Sequence, residues 1–172
     1  LVRMARDLLP VPYCHVVFTL PSQLIPLAYQ NARLIYNLLF QAASEALLTI
    51  AADPKRMGAR VGFLAVLHTW NQKLGLHLHL HCLVPAGGLS NDRSRWIHSS
   101  KRFFLPVRVL GSRFRNHFLK LLVVAWRTGK LRLTGSVSHL RQAAAFSRLV
   151  SQLKRLKWVV YAEGKPDTIL FA

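Results

Sequence analysis

Histidine is the residue whose spacing in this chain points most directly to chemistry. His77, His79 and His81 alternate with apolar residues in the run Leu76 to Val84 (LHLHLHCLV), and His68 precedes them. Residues two apart on a strand face the same side, so the three imidazoles form a row while Leu78, Leu80 and Cys82 project from the other face. Neutral imidazole is a ligand for divalent transition metals. Two on one strand with a third group from a neighbouring strand hold a cation and leave coordination positions open, as catalysis requires. His79 and His81 are the predicted pair. His68, across a hairpin, is the preferred third ligand, with His77 and Gln72 as alternatives that strand register could favour. The bland alternative is an amphipathic strand whose polar face happens to be histidine. His15, inside another apolar run, reads as a sheet or core residue, while His98, His117 and His139 sit in basic contexts suited to phosphate or solvent.

The elements that must position these groups follow from periodicity and punctuation. Tyr13 to Leu20 (YCHVVFTL), between Pro12 and Pro21, is predicted as a strand. A helical period follows from about Pro26 to Asp53, as one long helix or two abutting, with Tyr29 and Tyr36 on one face. Val61 to Thr69 is a second strand. Trp70 to Leu76 is a turn, so the histidine strand should pair with it as an antiparallel hairpin that Pro85-Ala86-Gly87-Gly88 ends. After a polar loop at Ser90 to Ser94 come Trp96-Ile97 and the short run Phe103 to Leu105. Pro106 to Trp126 is predicted as an amphipathic helix stopped at Thr128-Gly129, followed by a helix from about Val137 to Leu153 and a strand at Trp158 to Ala162. The pattern predicts an α+β fold, with an antiparallel sheet, the histidine strand central and helices packed on one face.

Composition narrows the partners. The chain has 172 residues, with 24 Lys and Arg against 6 Asp and Glu, for a formal net charge of +18. Charge of that sign and size, spread along the length, predicts a polyanionic partner bound through counterion release, hence nucleic acid. Arg108, Arg113, Arg115 and Lys120, on the predicted amphipathic helix, are the candidate backbone contacts, and the open sheet face is expected to be basic. Asp7, Glu45, Asp53, Asp92, Glu163 and Asp167 are scattered, which excludes a carboxylate-only two-metal site. A histidine-bound hydrolase with Asp92 as its base is the least favoured chemistry. Cys14 and Cys82 lack ligand or redox spacing and read as buried, in keeping with a reducing cytoplasm. No apolar run is expected to reach membrane-spanning length: Leu38 to Ala52 is short and broken by Gln41, Ser44 and Glu45.

Three segments resemble the insertion-sequence-91 family of transposases, which belong to the His-hydrophobic-His (HUH) class: PVPYCHVVFTLP (Pro10 to Pro21), GFLAVLHTWNQKLGLHLHLHCLVPAGGL (Gly62 to Leu89) and FFLPVRVLGSRFRNHFL (Phe103 to Leu119). The resemblance implies a palm-like HUH endonuclease of bacterial, DNA-associated setting. Such an enzyme nicks single-stranded DNA at transposon ends, forms a phosphotyrosine bond and moves the element by a rolling-circle-like route. It implies Mg2+ or Mn2+ held at the scissile phosphate by His79 and His81, with Leu80 between them. Two positions depart from the family pattern: Leu78 stands where Pro is usual and Asn71 where Gly is usual. The family's catalytic tyrosine lies in a Tyr-x-x-Arg-Tyr helix beyond the strand matching Trp158 to Ala162, and a zinc-binding module precedes the first strand. Tyr13, Tyr29, Tyr36 and Tyr161 have no such context. The expectation is therefore that residues 1–172 form a single partial core domain, with the zinc module and the tyrosine helix outside it and no nicking activity of its own. The alternative is a basic nucleic-acid-binding module without chemistry.

Overall fold

The computed structural model describes residues 9–70, 76–99 and 107–163. Strand β1 (Tyr13–Thr19) alternates buried and half-buried residues, and ends one residue before Leu20, whose amide donates to the Leu78 carbonyl at 2.9 Å. A single 3-10 turn at Ser22–Leu24 leads into α1 (Ile25–Gln30), with Pro26 in its first turn, and then α2 (Ala32–Ala52). The helical segment is thus two abutting helices. Asn31 breaks it at φ −136° and ψ 38°, outside the helical region. Its buried side-chain amide donates to the carbonyls of Leu27 and Arg132 at 3.0 Å each and accepts from the Arg132 amide at 2.7 Å. The break also separates Tyr29 from Tyr36: Tyr29 is exposed, whereas Tyr36 packs against the core.

The four-stranded sheet has the order β2-β3-β1-β6, every neighbour antiparallel, formed by β1, β2 (Leu64–Trp70), β3 (Leu76–Pro85) and β6 (Val160–Glu163). The histidine strand β3 is internal. Pairing brings Val66, His81, Val17 and Tyr161 into one row across the sheet, and His68, His79 and Thr19 into the next. β2 starts later than the sequence pattern suggests because Arg60 is drawn away to bridge with Leu89, through amide-to-carbonyl bonds of 2.8 and 2.9 Å. Leu89 belongs to a ribbon, β4 (Gly87–Leu89) against β5 (Trp96–His98), where the sequence predicted only the end of a strand and a loop. Two glycines make that ribbon possible. A Cβ on Gly87 would collide with the Trp96 indole, and one on Gly88 would lie 2.5 Å from the Arg60 carbonyl oxygen. Gly88→Ala should accordingly cost about 1–3 kcal/mol, as forced overpacking does, read as a lowered urea midpoint with the slope unchanged.

Val16, Phe18, Leu78, Leu80 and Cys82 point to the other side of the sheet, where the helices lie. Helix α3 (Val107–Arg127) sends Phe114 against Phe18, with ring centroids 5.0 Å apart, and against Trp158 at 5.3 Å. It ends where Thr128-Gly129 predicted: Gly129 takes φ +67°, and the amides of Gly129 and Lys130 bond back to Trp126 and Ala125. The expected helix from Val137 is instead a 3-10 turn (Gly135–Arg141) followed by α4 (Ala143–Arg155). The Trp126 indole donates to the Leu140 carbonyl at 2.8 Å and fixes that turn.

Helix α2 departs from the expectation that no apolar run reaches membrane-spanning length. At 21 residues and a mean hydropathy of 1.4, α2 is long and apolar enough to cross a membrane by length and composition, with half of that stretch buried inside the protein. Its apolarity has a local use: Ile35, Leu39, Ala42, Ala43 and Leu47 are fully buried in the core shared with the sheet and α3.

Candidate metal centre

The alternation of β3 turns His77, His79 and His81 to the face opposite the described helices, and the β2 register adds His68 directly opposite His79. His68, His79 and His81 can each offer a ring nitrogen such that all three lie within 4.8 Å of one another. The ring centroids are 4.3 Å apart for His68 and His81, 4.9 Å for His79 and His81, and 5.3 Å for His68 and His79. His77 takes part through its backbone: its carbonyl lies 2.8 Å from Nδ1 of His79. A carbonyl only accepts, so that Nδ1 carries the proton and Nε2 of His79 keeps its lone pair. Gln72, the other alternative ligand, lies outside the described residues.

His15 has a role that its position in an apolar run did not suggest. Its Nε2 is 2.7 Å from Nδ1 of His81, and the two rings stack at 4.9 Å and 11°. His15 pairs across the strands with Leu83, the next open-face residue after His81, which makes it a diagonal neighbour of the histidine row. The signal was present in sequence as parity, since His15, Val17 and Thr19 share the half-buried face of β1. With Nδ1 of His81 occupied, Nε2 of His81 remains, and it is buried without a hydrogen-bond partner. A buried ring nitrogen without a partner is costly unless something binds there.

Electrostatics favour the neutral form of His81 and His77. Burial is the largest influence on His81, followed by the charges of His68, His15 and His79, and together they lower its pKa from 6.5 to about 4. His77 is lowered by burial and then by His79. The folded chain thus prefers His81 neutral. The associated stability is complete above about pH 6.5 and is lost as pH falls toward about 4. The melting temperature of the metal-free chain should drop by several degrees between about pH 7 and about pH 5, and by less in His81→Asn.

The surroundings differ from expectation in charge. β1, β2, β3 and β6 contain no Lys or Arg, so among the described residues these strands do not supply the expected basic character: their open face presents the histidines among exposed Leu64, Val66, Trp70 and Tyr161. The Trp70 ring lies parallel to that of His68 at 6.4 Å. Arg108, Arg113, Arg115 and Lys120 lie on α3, in the helix layer behind the sheet. Arg113 and Lys120 line a groove with Glu45 and His117, whereas Arg108 and Arg115 line another with Lys157 and Tyr161. The second groove reaches the histidine face around the β6 edge, because Tyr161 belongs to both. His98 and His139 are exposed and lie outside the cluster. Asp92 is exposed, and hydrogen bonds from the Ser90 and Ser94 side chains and the Ser94 amide hold its carboxyl at about 2, which suits a loop staple and not a base. Burial pushes the Cys14 and Cys82 thiols up to about 11 and about 12.

Comparisons with known proteins agree with this architecture. Among solved structures, the chain is similar in fold to the conjugative relaxase TrwC, whose copper-bound complex with oriT DNA aligns at a TM-score of 0.51 and 10% identity. The alignment covers 83% of this chain and 63% of that one. In sequence it is 50% identical over 167 residues to "Putative transposase y4qJ" of Sinorhizobium fredii (strain NBRC 101917 / NGR234), covering 95% of this chain and 42% of that protein. It is 45% identical over 81 residues to the transposase for insertion sequence element IS801 of Pseudomonas savastanoi pv. phaseolicola, covering 47% of this chain and 19% of that protein. The chain therefore spans less than half the length of either relative. Residues 62–168, which include the histidine hairpin and α3, match the Y2_Tnp family model, described as "Putative transposase". By the family match and the 50% identity, in agreement with the insertion-sequence-91 resemblance, the chain belongs to the Y2_Tnp family of transposases.

Proposed function

We propose that this chain is the core of a single-strand DNA transposase that holds a divalent cation, Mg2+ or Mn2+, on His79, His81 and His68. The observation that carries the reading is Nε2 of His81, buried and without a partner beside two further imidazoles on the same sheet face. Three converging imidazoles, two of them with the other ring nitrogen tied back to protein, His79 to the His77 carbonyl and His81 to His15, are the donor set of a cation site with open positions. When bound, the cation supplies Lewis-acid polarisation of a scissile phosphate and neutralises developing charge. His79 is held in the ligating tautomer by the His77 carbonyl, and His81 is oriented by His15. That the relaxase of similar fold was solved with DNA and with copper supports both the partner and the metal.

In this reading Arg108 and Arg115, with Lys157, hold the strand's backbone as it leaves the histidine face past Tyr161. Tyr13 is buried with its hydroxyl accepting from the Leu9 amide, and Tyr29 and Tyr36 lie on the helices behind the sheet. Tyr161 stands two strands from His81, roughly 10 Å at ordinary strand spacing. The nucleophile is therefore assigned to a segment outside these residues, and residues 1–172 to one partial core domain. The test is binding of a single-stranded oligonucleotide across a salt series, with and without Mn2+. Affinity should fall steeply with salt and rise with Mn2+. No Mn2+ binding by the intact chain would leave a basic DNA-binding module without chemistry.

A further inference from the structure

A cavity of about 460 Å3 opens on the histidine face, walled by Tyr13, Arg60, Phe63, Leu64, Leu83 and Trp96 among others. Its position is fixed by register. Leu83 follows His81 on the open side of β3, and Leu64 pairs with Leu83 just as Val66 pairs with His81. The cavity wall thus begins two strand residues, about 7 Å, from the metal-ligating row. Its outer wall is the β4–β5 ribbon, brought down onto Arg60 and Val61 because Gly88 has no side chain.

We propose that this cavity receives one nucleobase of the single strand whose phosphate lies on the histidine cluster, and so contributes to the choice of cleavage position. The inference rests on the reading of that cluster as the phosphate site. Three features select this occupant. The lining supplies ring faces from Tyr13, Phe63 and Trp96, on which a base stacks irrespective of its identity. Arg60 supplies the cation at the wall, able to stack on a base or donate to its acceptor edge. Among the described residues the lining contains no carboxylate to oppose the phosphates on either side, in a chain of net charge +18. The volume lies within the range of small-ligand sites and accommodates a base.

The experiment compares a dT10 oligonucleotide with a decamer of abasic tetrahydrofuran nucleotides, equal in phosphate count, by fluorescence anisotropy on the full chain. The intact chain should bind dT10 at least about tenfold more tightly, the scale of one stacked base. Leu64→Trp, which fills the cavity from an exposed edge-strand position, and Phe63→Ala, which removes a ring, should each erase most of that difference and leave abasic binding within about twofold. Equal binding of the two decamers by the intact chain, or a preference that survives both variants, overturns the proposal. The preference is measured without metal and again in His79→Ala/His81→Ala, whose Mn2+ titration reports separately on the phosphate site. A cluster that binds no Mn2+ beside an intact base preference overturns the metal reading alone.

Discussion

Replacing His79 and His81 together by Ala lowers Mn2+ affinity at least about a hundredfold, measured by calorimetry on the metal-free chain. The magnitude follows from what remains. His68 sits exposed on the edge strand and His77 contributes a carbonyl, so one weakly positioned imidazole is left where three converged. Losing a hydrogen-bond partner of a ligand typically costs 10- to 100-fold, and losing two ligands costs more. His15→Ala should fall between the intact chain and the double variant, because it frees Nδ1 of His81 without removing a ligand. Thermal stability separates this from misfolding: the substituted side chains lie on the face opposite the described helices, and the melting temperature near pH 7 should change little. Unaltered Mn2+ affinity in the double variant would place cation binding elsewhere on the molecule.

Phe114→Ala should be the most destabilising single change on the other side of the sheet. The ring is fully buried and touches Phe18 from β1, Phe118 from its own helix and Trp158 just before β6. It thereby joins the sheet to the helix layer at one point. Truncating such a ring costs about 3–5 kcal/mol through lost transfer energy and the cavity left behind. For a chain of this length that is a drop of about 6–20 °C in melting temperature. Tyr29→Ala, at an exposed helical position, should stay within about 0.5 kcal/mol of the parent. A Phe114→Ala chain that melts like the Tyr29→Ala chain would mean that α3 does not pack on the sheet through this ring.

The contrast between those two faces shows what the sequence could and could not reveal. Strict alternation in LHLHLHCLV determines which side chains share a face, so the central histidine strand, its buried Leu78 and Leu80, and the hairpin partner were legible from residue types alone. The third group was narrowed to His68, His77 or Gln72, and the pairing of His68 with His79 needed the register of two strands. Parity could place His15 on a half-buried face of β1, but its link to His81 depends on how β1 lies against β3. The ribbon, the late start of β2 and the 3-10 turn before α4 were missed because each is fixed by a tertiary bond: Arg60 to Leu89, or the Trp126 indole to Leu140. Net charge predicted a polyanion yet misplaced the cations. A count of Lys and Arg carries no information about which side of a sheet their helix occupies.

β2 forms one edge of the sheet, with Leu64, Val66 and Trp70 exposed and no Lys, Pro or inward charge on the strand itself. Edges of that kind pair with other edges when copies meet. A net charge of +18 opposes the approach of a second copy, and salt weakens that repulsion over a screening length of about 10 Å at 0.1 M. Raising ionic strength therefore lowers the barrier to edge-to-edge pairing. A polyanion that neutralised the basic grooves would lower it in the same way, so the charge that suits this chain to phosphates also protects a sheet edge.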